Sequence, residues 1–126
     1  MEIFNFAKKL STHLAMGFLL VSCTIANIDG PFISAEPEVG SVQTRAPQTL
    51  RLYFEQLPDV PSSTVLLQGP TGTLNIRGMH TMGANDLMME INDQVVDGDY
   101  TVYWTTRIED DPIEYQGEFS FTVQTN

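Results

Sequence analysis

The sequence is short of three things: cysteine, histidine and positive charge. Cysteine occurs once, at Cys23. One thiol makes no intrachain disulfide and no multi-cysteine metal cluster. Histidine occurs twice, at His13 and His80, and lysine stops at Lys9. Beyond Cys23 the basic residues are Arg45, Arg51, Arg77 and Arg107, set against fifteen Asp or Glu. Such a surface repels phosphate backbones, which argues against nucleic acid as a partner. It suits solubility and the attraction of cations. No Ser-His-Asp or Cys-His set can be read from so few histidines and thiols, and no glycine loop for phosphate precedes a helix. The expectation is a non-enzyme, with no catalytic residues.

The chain also lacks an apolar run long enough to span a bilayer, which takes ~20 residues as a helix. What it has instead is "MEIFNFAKKL" followed by "LAMGFLLVSC". A basic start, a short apolar segment and small residues at its end read as a secretory signal, residues 1–22. "LVSC" resembles a bacterial lipobox, in which the signal is cut before the cysteine and the thiol carries lipid. Lipidation at Cys23 would explain a lone thiol in an exported protein. Cleavage after Ala26 ("TIA") is the other reading, and it discards Cys23. Thr24 after the cysteine resembles the pattern of lipoproteins sorted to the outer membrane. Residues 23–31 then form a tether, and residues 32–126 a single domain of a length that suits one core.

Helical periodicity is missing from that domain, and strand periodicity fills it. "TLRLYF" (49–54) places Leu50, Leu52 and Phe54 on one face. "STVLLQ" (63–68), "TLNIR" (73–77), "DLMMEI" (86–91), "DYTVYWTTR" (99–107) and "GEFSFTV" (117–123) alternate or run apolar in the same way. A further short strand is expected at Phe32 to Ala35. Pro, Gly, Asn and Asp divide the runs. Period-two alternation marks strands with one buried face. About seven such strands with frequent turn signals describe an all-β antiparallel sandwich. Its expected core includes Leu50, Leu52, Phe54, Val65, Leu67, Leu74, Ile76, Leu87, Met89, Ile91, Tyr100, Val102, Trp104, Phe119, Phe121 and Val123.

Residues 78–90, "GMHTMGANDLMME", concentrate the unusual chemistry. Met79, Met82, Met88 and Met89 lie there with His80. Soft thioethers and an imidazole suit Cu(I). Gly78 and Gly83 bound "MHTM", which suits a bending loop. Met79, His80 and Met82 are the candidate ligands, with Met88 a further donor on the outward face of its strand. Met89 shares the Leu87/Ile91 face and reads as core. The alternative is that these methionines only fill gaps, a common use of the residue.

The order of the runs carries a resemblance. "PEVGS" (37–41) precedes "APQTLRLYFEQLP" (46–58), "STVLLQGPTG" (63–72), "DGDYTVYW" (97–104) and "GEFSFTV" (117–123). This succession resembles the CopC-type copper-resistance domain over about residues 32–124. The resemblance implies an immunoglobulin-like Greek-key sandwich in the periplasm that binds copper and buffers or delivers it to an envelope copper-transport or copper-accepting protein. It implies a Cu(II) site built on an N-terminal histidine and a loop Asp and His. Here "TIANIDGPFISAEP" has no histidine, and the matching loop reads "RIEDDPIEYQG" (107–117). Asp110 stands for the family's Asp, and Asp111 precedes Pro112 where a histidine is missing. Asp110 and Asp111 are therefore the weaker metal candidates, suited to a hard cation such as Ca²⁺. The methionine-rich segment of some members binds Cu(I), and residues 78–90 occupy that region. Cu(I) rather than Cu(II) is the expected cofactor. The other function class that remains open is a metal-free immunoglobulin-like interaction module of the cell envelope.

Overall fold

The computed structural model describes residues 30–126. The expected signal, the first part of the tether, Cys23 and His13 lie outside the described residues. Among the described residues the chain forms nine strands: β1 (Phe32–Glu36), β2 (Val42–Gln43), β3 (Thr49–Phe54), β4 (Thr64–Gly69), β5 (Gly72–Leu74), β6 (Ile76–His80), β7 (Asp86–Ile91), β8 (Gly98–Arg107) and β9 (Glu114–Val123). One 3-10 turn spans Val60–Ser62. No helix of the described residues is long and apolar enough to cross a membrane.

The strands form two sheets, ordered β1-β3-β7-β6 and β2-β9-β8-β4-β5. All pairings are antiparallel except β2 with β9. The inner faces follow the alternation of the sequence. Leu50, Leu52 and Phe54 of β3 and Leu87 and Met89 of β7 face Leu67 of β4, Tyr100, Val102 and Trp104 of β8, and Phe119, Phe121 and Val123 of β9. Each fully buried Leu of this set contributes ~1.5–3 kcal/mol by leaving water. Aromatic rings close one end. Phe32 stacks on Trp104 with centroids 5.4 Å apart and on Phe119 at 5.7 Å, while Phe54 meets Trp104 edge-on at 5.4 Å.

Two places depart from simple alternation. The expected strand 73–77 is two strands in different sheets. Leu74 pairs with Leu67 in one sheet, and Ile76 pairs with Ile91 in the other. Asn75 is the crossing point. Its N–H donates to Asp93 Oδ2 at 2.7 Å, and its carbonyl accepts the Asn92 N–H at 2.7 Å. Both flanking side chains still point inward, so alternation is blind to the change of sheet. Where the sheets part, Val65, Ile76, Met79 and Met89 line a cleft of about 280 Å³. That opening leaves Val65 and Ile76 half-buried, where full burial was expected.

The second departure is a bulge in β6. Arg77 pairs with Glu90 and His80 with Met88, so Gly78 and Met79 together oppose Met89. Gly78 has φ +72°, the left-handed region that glycine enters without a side-chain clash. The strand therefore runs on to His80, two residues into a segment whose glycines suggested a loop.

Candidate metal centre

The bulge decides which way the site residues face. Ile76 points inward, so strict alternation would turn Met79 outward and His80 inward. One extra residue reverses this, as bulges do when they re-aim a side chain. Met79 packs against the core, and His80 is exposed on the outer face of its sheet. His80 is the cross-strand partner of Met88, so their side chains share that face with Cβ atoms ~4.5–5.5 Å apart. Met88 is half-buried there, beside its other partner, Arg51.

His80 Nδ1 contacts the Gly78 carbonyl oxygen. A carbonyl only accepts, so Nδ1 carries the hydrogen. In the neutral ring the lone pair is then on Nε2, and Nε2 lies 3.1 Å from Met82 Sδ. This is the arrangement seen in metal-binding histidines, whose second ring N–H is held by a carbonyl or carboxylate. Donors so close can share one ion, given bonds of about 2.0–2.3 Å to a first-row metal such as zinc.

Met82 follows β6 and is held in place from below. Its N–H donates to Asp86 Oδ1 at 2.9 Å. Asp86 is wholly buried, and its Oδ2 accepts from Arg51 Nε at 2.7 Å. A buried carboxylate needs such partners, because its desolvation is otherwise uncompensated. The bond to Asp86 holds the Arg51 guanidinium still further above its ordinary pKa. Arg51 in turn lies over the Tyr53 ring, 4.9 Å from its centroid, and Tyr53 donates to Glu36 Oε2 at 3.1 Å. Desolvation first, and the Glu36 carboxylate second, push the Tyr53 phenol up. Glu36, Arg51, Met88 and His80 thus form one cross-strand row over β1, β3, β7 and β6.

A sandwich with a histidine and two thioethers on one sheet face can be compared with known proteins. The model of the CopC domain matches residues 32–124. The chain belongs to the CopC domain family. No curated protein sequence matches it. Among solved structures it is similar to PcoC, a methionine-rich copper resistance protein from Escherichia coli, at 20% identity and TM-score 0.67, covering 75% of this chain and 97% of that one. It is also similar to CopC from Methylosinus trichosporium OB3b, at 20% identity and TM-score 0.65, covering 74% and 91%. At this identity the likeness is one of fold, and it agrees with the two-sheet sandwich.

The CopC-type loop at residues 107–117 is occupied with its own folding. Asp111 accepts the Ile113 N–H at 3.0 Å and the Tyr115 hydroxyl at 3.1 Å. Asp111 thereby raises the Tyr115 pKa. Asp110 takes a left-handed φ of +69° at the turn. Arg107 Nη1 donates to the Pro112 carbonyl at 2.9 Å. Among the described residues no three His, Cys, Asp or Glu side chains come together as a metal set.

Of the four metal donors expected from the sequence, the structure gathers His80, Met82 and Met88 on one face. It does not bring Met79 to them, because the bulge turns Met79 into the cleft between the sheets. Sequence reasoning missed Asp86 and Arg51. The available signal was a lone Asp and a lone Arg at outward positions of two strands that otherwise alternate cleanly.

Proposed function

We propose that this chain binds copper as Cu(I) through His80, Met82 and Met88, and buffers it or hands it to an acceptor in the periplasm. The observation that carries the reading is the 3.1 Å approach of His80 Nε2 to Met82 Sδ, with Nδ1 tied to the Gly78 carbonyl. Imidazole and thioether are soft enough to favour Cu(I) over hard divalent ions. Membership of the CopC family and the likeness to PcoC, a methionine-rich copper resistance protein, support copper as the ion. Exposure of His80 and Met82 at the end of β6, with Met88 half-buried beneath them, leaves room for exchange with an acceptor. Export, and lipid attachment at Cys23 to the outer membrane, belong to the same proposal.

Cu(I) titration under reducing conditions, against a competing chelator, tests the site. One equivalent should bind, and His80→Ala with Met82→Ala should weaken binding at least about tenfold. Equal affinity of parent and double variant would show the site is elsewhere. One observation favours a second reading, a metal-free envelope module: the loop 107–117 lacks the histidine that the family's Cu(II) site uses. Copper analysis of protein from copper-fed cells separates the two, since a clean absence of copper supports the module.

A further inference from the structure

The four methionines of residues 78–90 differ in their access to solvent. Met82 is 51% exposed, Met79 and Met88 are half-buried, and Met89 is fully buried. Oxidation of methionine sulfur follows that access. Met82 is also the methionine whose sulfur meets an imidazole nitrogen. We propose that Met82 is a methionine-sulfoxide site, oxidised first by peroxide, and that its oxidation shuts the soft-metal centre. The switch rests on reading His80 and Met82 as metal donors.

The step balances without a cofactor. A lone pair of Met82 Sδ attacks one peroxide oxygen, and the O–O bond breaks. The departing hydroxide takes the proton from the sulfur-bound oxygen and leaves as water. Sulfur is oxidised by two electrons, and the peroxide is reduced by two. The product presents a hard oxygen where a soft sulfur stood, and Cu(I) discriminates against hard donors. A bound ion takes one of the two sulfur lone pairs, draws density from the other and blocks access, so metal and oxidant compete for one atom.

The surroundings keep the change local. Met82 is anchored through its backbone N–H to Asp86, a bond that oxidation of the side chain leaves intact. Met89, whose oxidation would place a polar group in the core, is sealed at 0% exposure. A sulfoxide at Met82 is reversible by sulfoxide reductases. The site can therefore be closed and reopened while the sandwich stays folded.

The test uses limiting hydrogen peroxide on the metal-free protein, with Ag(I) as a redox-inert stand-in for Cu(I). The stretch between Arg77 and Arg107 carries all four methionines, and fragment masses locate the added oxygen. The expected order is Met82 first, Met79 and Met88 later, and Met89 last. Saturating Ag(I) should slow oxidation at Met82 but not at Met79. Protein singly oxidised at Met82 should bind Ag(I) at least about tenfold more weakly, and reductase treatment should restore binding. Even oxidation of Met79, Met82 and Met88 would overturn the site. Oxidation at Met82 with unchanged Ag(I) affinity would overturn the switch and leave the metal centre standing. Failure of the unoxidised protein to bind Ag(I) would overturn both.

Discussion

Asp86 and Met82 are joined by one hydrogen bond, from the Met82 N–H to a carboxylate that no solvent reaches. The other carboxylate oxygen belongs to Arg51. A single buried side chain thus connects the central strand β3 to the loop that carries Met82, one of the proposed donors. Asp86→Ala removes both bonds and leaves Arg51 without its partner. Hydrogen bonds to a charged group contribute ~1.5–3 kcal/mol. For a domain of this size the loss of both corresponds to a fall in melting temperature of roughly 15–30 °C. Ag(I) affinity, measured well below the new melting point, should fall as well, because Met82 is no longer held against His80. A variant that melts lower but binds Ag(I) like the parent would confine Asp86 to stability.

Gly78 makes the bulge possible. A Cβ placed there would meet nothing within 4 Å, so the cost of a side chain lies wholly in the φ of +72°. Gly78→Ala should destabilise the domain by ~1–2 kcal/mol. It should also weaken Ag(I) binding, since loss of the bulge would return β6 to strict alternation and turn His80 toward the core. Gly78→Asn, which tolerates the left-handed region better, should lie between. Equal melting and equal binding in Gly78→Ala would mean that the bulge does not depend on glycine.

Two strands, 49–54 and 86–91, were legible in the sequence to the residue. Leu50, Leu52, Phe54, Leu87 and Met89 are buried at every second position, and only one register puts all five on the core side. Residues 73–80 were not legible to that degree. Alternation reports the face of a side chain, and Leu74 and Ile76 face the same core from different sheets. The direction of His80 depends on a left-handed glycine, which shifts parity by one without changing the composition. The methionine and histidine content was plain, while their convergence was fixed by a bulge and a buried carboxylate. The acidic loop at 107–117 could be judged by composition alone, which does not show that the Asp111 carboxylate accepts from the Ile113 N–H and the Tyr115 hydroxyl.

Tyrosine ionisation gives the alkaline limit. Burial pushes the Tyr100 phenol up; its ring stacks on Phe121 at 5.4 Å and its hydroxyl donates to the Val96 carbonyl at 2.7 Å. Tyr53 and Tyr115 are raised too, by desolvation beside Glu36 and by Asp111 respectively. A raised phenol pKa means that the fold favours the neutral ring. Its contribution to stability is full below the ordinary phenol value of about 10 and is lost as pH rises through the folded value. Phenolate absorbance from Tyr53, Tyr100 and Tyr115 should therefore appear late and partly together with unfolding, and Tyr100→Phe should remove a late step. Titration at the free-phenol value would contradict the burial argument for Tyr53 and Tyr100 and the hydrogen bond to Asp111 for Tyr115.

Met79 and Met88 provide the sharpest comparison, because composition treats them alike and the fold does not. Met79 lies on the inner side of β6, packed toward the core. Met88 lies outward, across the strand from His80. Leucine nearly conserves methionine's volume, and such exchanges cost less than about 1.5 kcal/mol, so both variants should stay folded. Leucine offers no donor to a soft ion. Met88→Leu should therefore weaken Ag(I) and Cu(I) binding, and Met82→Leu should weaken it more, since the Met82 sulfur already lies beside Nε2. Met79→Leu should bind like the parent. If Met79→Leu lost affinity while Met88→Leu kept it, the donor set would have to be drawn from the cleft between the sheets, and the bulge would then serve to bring Met79 inward to a metal instead of sending His80 outward to one.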